Sequence, residues 1–389
     1  MLVGIVGKPN TGKSTFFAAA TLVDVAIAPY PFTTIQPNKG VTYVRAKCPH
    51  AELNLPKCDP NNSKCENGTR LIPMNLLDVA GLVPDAHLGK GLGNQFLGDL
   101  AAADCLIQVI DCSGKTDAEG KQTDSYYPGN EIRFLEDEIA WWLEGIIKRS
   151  WGKVRGGNAE SLMGVLSGLK VTKAEIEKAA ASAYLPLEGI QWGDEGILNF
   201  SKQIQKLSKP IIFAANKIDV PGAAENLAKM KAEFPDRIII PCCAEAELTL
   251  RRANDKGLIT YVPGDADFAV VGDLNDKQKA ALEFIRASIM KKYGGTGVQE
   301  LVNKAVFSLL NLIVIYPVED EHRFANHFGK VLPDAFLIPK GATALQMAEK
   351  VHTDLAKHFI HAVDARKKMR IGKDHPLHDG DIIRIVASR

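Results

Sequence analysis

The sequence predicts an α/β fold: a domain on a mostly parallel sheet, interrupted by a helical insertion and followed by a smaller β-rich module. Three observations carry that prediction. An apolar run, Met1 to Val6, leads into Gly7-Lys-Pro-Asn-Thr-Gly-Lys-Ser14 and then a helical stretch, Thr15–Leu22. This is the strand–loop–helix order of a P-loop, Gly-x4-Gly-Lys-Ser. Apolar runs of strand length recur at Val41–Ala46, Met74–Leu77, Cys105–Asp111, Pro210–Ala215 and Arg237–Ile240, enough for one sheet. Beyond residue 308 the pattern changes to short β-type runs at Val314-Ile-Tyr-Pro317, Ala335–Ile338 and Ile382–Val386.

The P-loop fixes a ligand class. Successive backbone N–H groups of a glycine-rich turn wrap a polyphosphate, and the helix N-terminus adds its positive dipole end. Lys8, Pro9, Asn10, Thr11, Gly12, Lys13, Ser14 and Thr15 are therefore expected to line the phosphates. Lys13 would reach the β- and γ-phosphates, and the Ser14 hydroxyl would bind Mg2+. Asp78-Val-Ala-Gly81 ends the Met74–Leu77 strand. An Asp there can hold Mg2+ through water, and the Gly81 N–H can sense a γ-phosphate because glycine lets the backbone come close. Between these lies Tyr30-Pro-Phe-Thr-Thr-Ile-Gln-Pro-Asn-Lys-Gly40. Thr33 or Thr34 can present a hydroxyl to Mg2+ and an N–H to the γ-phosphate, so Thr34 joins Lys13 and Gly81 in the expected catalytic set. A loop held only by that phosphate lets go after hydrolysis.

Base selection is expected further on. Pro210–Ala215 ends in Asn216-Lys217-Ile218-Asp219. The Asp219 carboxylate can accept from both N1–H and the 2-amino group of guanine. Adenine offers neither donor, so this residue selects GTP over ATP. Arg237–Ile240 is followed by Pro241-Cys-Cys-Ala-Glu245, and Cys243-Ala244 is the pair placed to meet the base.

These segments, with the long stretch Asp78-Val-Ala-Gly-Leu-Val-Pro-Asp-Ala-His-Leu-Gly-Lys-Gly-Leu-Gly-Asn-Gln-Phe-Leu97, resemble the YchF / Obg-like ATPase family in its archaeal form, within the Obg–HflX group of P-loop GTPases. The resemblance runs over essentially the whole chain and implies a G domain of the P-loop NTPase class. Leu82 stands where Ras-like enzymes place a water-positioning Gln, which implies slow intrinsic turnover or another group orienting the water. His87, in the same segment, is a candidate for that role or an ordinary surface histidine. An Asn at the Asn10 position in related GTPases ligates K+ in place of an arginine finger. Many YchF members carry Asn-x-x-Glu and favour ATP; Asn216…Asp219 departs from them. In the family a Ser-Ala pair contacts guanine O6 through the Ala N–H. Here Cys243-Ala244 keeps the backbone group and weakens the side-chain bond.

Between Asp111 and Pro210 lies an insertion of about a hundred residues, longer than a usual crossover. Ile132, Leu135, Ile139, Trp142, Leu143, Ile146 and Ile147 recur at helical spacing over Glu131–Lys148, and Thr172–Ala183 and Leu198–Leu207 also read as helices. Trp141 and Trp142 read as packing residues. Ala344–Leu355 reads as one helix opened by Thr343, and the end, Leu377–Val386, resembles a TGS domain, a β-grasp module. The expected modules are a discontinuous GTPase domain (1–114 and 208–308), a helical insertion (115–207) and a TGS-like domain (309–389). Arg366, Lys367, Lys368, Arg370 and Lys373 cluster in a predicted hairpin, a surface for RNA phosphates or simply a solvated face.

Composition is that of an ordinary globular chain: 389 residues, 46% hydrophobic, net charge +1. Nothing announces DNA, no apolar run is long enough for a membrane helix, and Met1 already opens a strand, so no signal peptide is expected. An odd seven Cys argues against a secreted disulfide framework. The expected setting is cytoplasmic, with GTP/GDP and a ribosome or RNA as partners, and a monomer as the expected state. One constellation stands apart. Cys48, His50, Cys58 and Cys65 fall in a Pro-, Asn- and Lys-rich segment with little core of its own. They can hold structural Zn2+, pair as a disulfide, or remain free thiols; the spacing matches no standard finger.

Overall fold

The structure, a computed structural model, describes residues 1–21, 39–79 and 93–388. In chain order its strands are β1 (Leu2–Val6), β2 (Lys39–Lys47), β3 (Lys64–Glu66), β4 (Thr69–Asp78), β5 (Cys105–Asp111), β6 (Ile211–Asn216), β7 (Ile239–Pro241), the short pair β8 (Ile259–Thr260) and β9 (Ala269–Val270), then β10 (Leu312–Val318), β11 (Phe336–Pro339), β12 (Phe359–Asp364), β13 (Met369–Ile371) and β14 (Asp381–Ala387). The chain forms two compact units. Of the described residues, one holds 1–21, 39–40, 75–79 and 93–301; the other holds 41–74 and 302–388.

In the first unit the strands run β4-β1-β5-β6-β7, all parallel. β5 and β6 are buried along their whole length, as strands covered on both faces must be. The register sets the function. Ile5 pairs with Asp78, Asp111 with Asn216, and Ala215 with Pro241. The P-loop, Asp78, Asn216–Asp219 and Cys243-Ala244 therefore all leave the carboxyl edge of one sheet, where ligands of parallel α/β sheets bind.

The insertion is helical. In the helix Asn130–Arg149 the stripe Ile132, Leu135, Ile139, Trp142, Leu143 and Ile147 is buried, with Ile146 half-buried. It packs against the helix Asp194–Ser208, which begins four residues before the predicted Leu198. Thr172 is the cap of the helix Lys173–Ser182 rather than its first residue: its hydroxyl accepts from Glu175 N–H, and Glu175 Oε2 accepts from Thr172 N–H. Among the described residues no helix is long and apolar enough to cross a membrane.

The second unit carries a sheet ordered β11-β10-β14-β12-β13, parallel only between β10 and β14. The helix predicted over Ala344–Leu355 breaks. It runs Ala344–Val351, His352 is extended with φ −162°, and a turn Thr353–Lys357 follows, capped by His352 Nδ1. The predicted basic hairpin forms between β12 and β13 with Val363 opposite Arg370, turning through Lys368 at φ +53°.

Candidate functional site

The P-loop is held by a lattice of side chain to backbone bonds. Asn216 Nδ2 donates to Thr11 O at 2.9 Å, and its Oδ1 accepts from Ala244 N–H at 3.0 Å. One amide thus ties three loops together. Gly12 sits at φ +89°, and a Cβ there would come within 2.4 Å of Asn216 Nδ2, so both the turn and its neighbour require glycine. Thr11 is buried, its hydroxyl donating to Lys8 O at 3.1 Å. Asn10 is left-handed at φ +65°; its Nδ2 donates to Gly120 O, and its carbonyl accepts from Lys217 Nζ at 2.7 Å. Gly120, at φ +82°, closes on Pro9, whose carbonyl would lie 2.6 Å from an added Cβ.

Lys13 opens the helix Lys13–Thr21, and Ser14 and Thr15 follow on its first turn, Ser14 exposed. Lys13 Nζ lies 2.5 Å from Asp78 Oδ1 and donates to Val79 O at 2.8 Å. The expected phosphate lysine and the expected Mg2+ carboxylate are therefore neighbours. Asp219 is exposed at the tip of β6, and the Cys243 thiol donates to its Oδ1 at 3.2 Å. The side-chain bond expected to weaken with cysteine is present. Burial, then the Asp219 charge, push the Cys243 thiol up to about 12, so it is a neutral donor.

Two residues expected on the nucleotide have protein partners of their own. The Lys8 side chain is buried, 2.7 Å from Glu131 Oε1, donating to Thr116 O and lying over the Tyr126 ring. Only its backbone is left for a ligand. The Ala244 N–H, expected on the base, is bonded to Asn216. Thr33, Thr34, Gly81, Leu82 and His87 lie outside the described residues.

Sequence reasoning missed the shelf beneath the P-loop. Lys217 Nζ pairs with Asp111 Oδ2 at 2.8 Å, and Ser113 and Thr116 hydroxyls also donate to that carboxylate. Burial raises the Asp111 carboxyl, but these partners outweigh it and hold it below the usual carboxylate range. Glu131 is pushed up to about 7 by burial, which Lys8 only partly offsets. A signal was available: Glu131 falls on the same helical face as Leu135 and Ile139, an acid on an apolar stripe. Asn10, Asp111, Lys115, Gly120, Lys121 and Lys217 contribute to the walls of a cavity of about 900 Å3 beside the loop.

Residues 2–136 match the family described as 50S ribosome-binding GTPase, residues 214–320 the Obg-like GTPase YGR210-like, G4 motif-containing domain, and residues 329–387 the TGS domain. A GTP-binding protein of Methanocaldococcus jannaschii is 48% identical over 100% of this chain and 99% of its own length. The chain belongs to the YchF/Obg-like family of GTP-binding proteins. The ribosome-binding ATPase YchF of Escherichia coli O157:H7 is 27% identical, with 98% of each chain covered. Among solved structures, a GTP-binding protein of Pyrococcus horikoshii OT3 superimposes with a TM-score of 0.81 at 38% identity, covering 100% of both chains. The YchF GTPase of Schizosaccharomyces pombe, at 21% identity and a TM-score of 0.57, shares the fold over 99% of this chain and 97% of its own.

The basic hairpin of the TGS region is exposed, but part of its charge is already paired. Arg366 Nη1 meets Glu52 at 3.2 Å, and Lys367 Nζ meets Asp364 at 3.0 Å.

Proposed function

We propose that this family member is a GTPase switch: it binds GTP in preference to ATP, hydrolyses it slowly to GDP and phosphate, and acts on the ribosome in the cytoplasm. The observation that carries the reading is Asp219, an exposed carboxylate anchored by Cys243 and set on the same Asn216 lattice that shapes the P-loop. Two N–H donors of guanine match that carboxylate, and adenine leaves it unpaired. The modules 1–114 with 208–308, 115–207 and 309–389 are its proposed working parts.

In this reading Lys13 leaves Asp78 for the β- and γ-phosphates and stabilises transferring charge, while the P-loop N–H groups fix the phosphates in line. Ser14, Asp78 and Thr34 are hard oxygen donors suited to Mg2+, which when bound neutralises phosphate charge. Asn10 would serve K+ through Oδ1, the amide's only lone-pair donor, while its Nδ2 donates to Gly120 O. Ribosome association is proposed because YchF relatives are named ribosome-binding and because the TGS region presents exposed Lys368, Arg370 and Lys373. A second reading, a nucleotide-gated ribosome or RNA binder with negligible hydrolysis, is favoured by Leu82 in place of a water-positioning Gln. A third, an ATPase like the named relatives, is opposed by Asp219.

Nucleotide competition tests the first claim: GTP and GDP should bind at least about tenfold more tightly than ATP, and equal competition would make this an ATPase. Single-turnover hydrolysis with and without ribosomes separates switch from binder. Turnover undetectable in both would leave binding as the output.

A further inference from the structure

The second unit brings together the side chains of Cys48, His50, Cys58 and Cys65, whose ligand atoms all lie within 4.8 Å of one another. Local structure explains how. Cys48 ends the run out of β2, its N–H bonded to Gly68 O at 2.8 Å, and the single turn Pro49–Glu52 places His50 two residues on. Cys65 lies on β3, which returns as β4 through Asn67-Gly68, at φ +48° and +81°, the paired left-handed residues of a tight hairpin turn. Cys58 arrives from the intervening loop.

We propose that these four side chains bind one structural Zn2+ through three thiolates and an imidazole. Three independent observations point there. The first is spacing. Zn–S bonds of ~2.3 Å and a Zn–N bond of ~2.05 Å at tetrahedral angles put sulfurs ~3.8 Å apart and sulfur ~3.6 Å from nitrogen. Cys48 Sγ and Cys58 Sγ are 3.7 Å apart, and Cys65 Sγ is 3.6 Å from His50 Nδ1. None of the three cysteines is in a disulfide, the pairing that the sequence left open, and 3.7 Å between Cys48 and Cys58 is far beyond an S–S bond.

The second is charge. Three thiolates and Zn2+ sum to −1. Arg70, directly across the hairpin from Cys65, is fully buried, and its Nη1 points at Cys58 Sγ (3.4 Å) and Cys48 Sγ (3.9 Å). Its other donors go to Ser63 Oγ and Leu332 O. A buried guanidinium needs a counter-charge, and a negative metal–thiolate centre supplies one beside it.

The third is how little apolar core the segment has. From residue 48 to 66 only Cys48, Pro49 and Ser63 are buried. A stretch with so little apolar core is what a metal staples. What it staples is useful: Asp59 N–H bonds Val331 O, Asn61 N–H bonds Pro333 O, and Asn62 exchanges bonds with Ala335 at both ends. The knuckle thereby holds the entry to the TGS region. Zinc is the metal chosen by three thiolates and an imidazole in tetrahedral array.

The test uses untagged full-length protein. Elemental analysis should find about one zinc per chain, and Cys58→Ser and Cys65→Ser should each lower it at least about tenfold. Binding of GDP by the same samples checks that each variant is folded. Chelator-stripped wild type titrated with Co2+ should give the ligand-field and thiolate charge-transfer absorption of a tetrahedral site, and excess Zn2+ should abolish it. Tetrahedral cobalt absorption in a wild type purified without zinc would still support the site. Zinc retained in full by folded Cys65→Ser protein overturns the assignment. So does wild type that carries no zinc and gives only octahedral cobalt spectra.

Discussion

The nucleotide edge of the first unit and the cysteine knuckle of the second are both polar and both built by loops, yet they are held by different means. Under the P-loop lie β1, β5 and β6, whose Val3, Ile5, Ile107 and Phe213 are completely buried. That core, with the Asn216 lattice above it, supports the loops, so Ser14 and Asp219 stay exposed and Lys13 half-buried. The knuckle has almost no apolar core, and its polar side chains are themselves the scaffold. Polar groups standing over a core can be spent on chemistry; polar groups without one are spent on structure. Variants in the first region should therefore change activity more than melting temperature, and variants in the second the reverse.

Lys13→Ala is the sharpest way to break that contrast. Losing the phosphate counter-charge should slow hydrolysis by about a thousandfold and weaken GTP more than GDP. The pair it makes with Asp78 is partly solvent-exposed, so the nucleotide-free protein should melt within a few degrees of wild type. Calorimetry and single-turnover kinetics on one preparation measure both. A variant that hydrolyses GTP normally would place the chemistry elsewhere.

Asp219→Asn should have the next largest effect. The carboxylate would become an amide that donates where guanine also donates, costing about tenfold or more, ~1.4 kcal/mol, in GDP affinity while xanthine nucleotides gain. Asp219 is exposed, so stability should hardly move. Guanine affinity unchanged in this variant would show that base selection does not rest on Asp219.

The nucleotide loops were legible because each is a run of consecutive residues at a strand tip, where backbone geometry alone dictates Gly12 and a polar Asn216. Fold class followed from unbroken apolar runs such as Cys105–Asp111. What stayed hidden depends on partners distant in sequence. Where the Lys8 side chain goes is hidden until Glu131, far along the chain, is seen beside it. Ala344–Leu355 keeps helical periodicity across a break that His352 makes by capping Asp354. The knuckle left three chemical states open because spacing does not report how a hairpin folds Cys65 back onto His50.

Glu131→Gln asks what the polar shelf costs the first unit. The folded-state acid is pushed up to about 7 from an ordinary 4.5. A raised acid contributes stability that is complete below about pH 4.5 and lost as pH climbs through about 7, because the folded state holds the proton more tightly. Glutamine imitates the protonated acid at every pH. Wild type and variant should thus melt alike near pH 4.5, with the variant gaining as pH rises and the gain levelling off above about pH 7. Lys8, the buried partner 2.7 Å away, loses its counter-charge equally in the variant and in the protonated wild type, so it does not change the sign of this comparison. A melting difference that stays constant across that range would mean Glu131 does not titrate as described.

Cys243→Ser should have the smallest effect, and it probes how finely the core holds Asp219. The thiol donates to Asp219 Oδ1 at 3.2 Å, and a thiol is a weak donor. A hydroxyl in its place makes a stronger bond to a carboxylate but sits on a shorter arm, so the loop must close slightly to keep it. GDP should dissociate a few-fold more slowly, on the order of 0.5–1 kcal/mol. Cys243→Ala removes the donor, frees the carboxylate to rotate, and should lower the ratio of GDP to ADP affinity by a similar factor. Because burial and Asp219 keep the thiol up at about 12, it stays protonated near neutrality, and wild type and Cys243→Ser should share one pH profile for GDP binding between about pH 6 and pH 9. Dissociation measured by stopped flow with a fluorescent GDP resolves changes of this size. If serine and alanine release GDP at the same rate, the bond to Cys243 does not position Asp219, and the Asn216 lattice alone must do so.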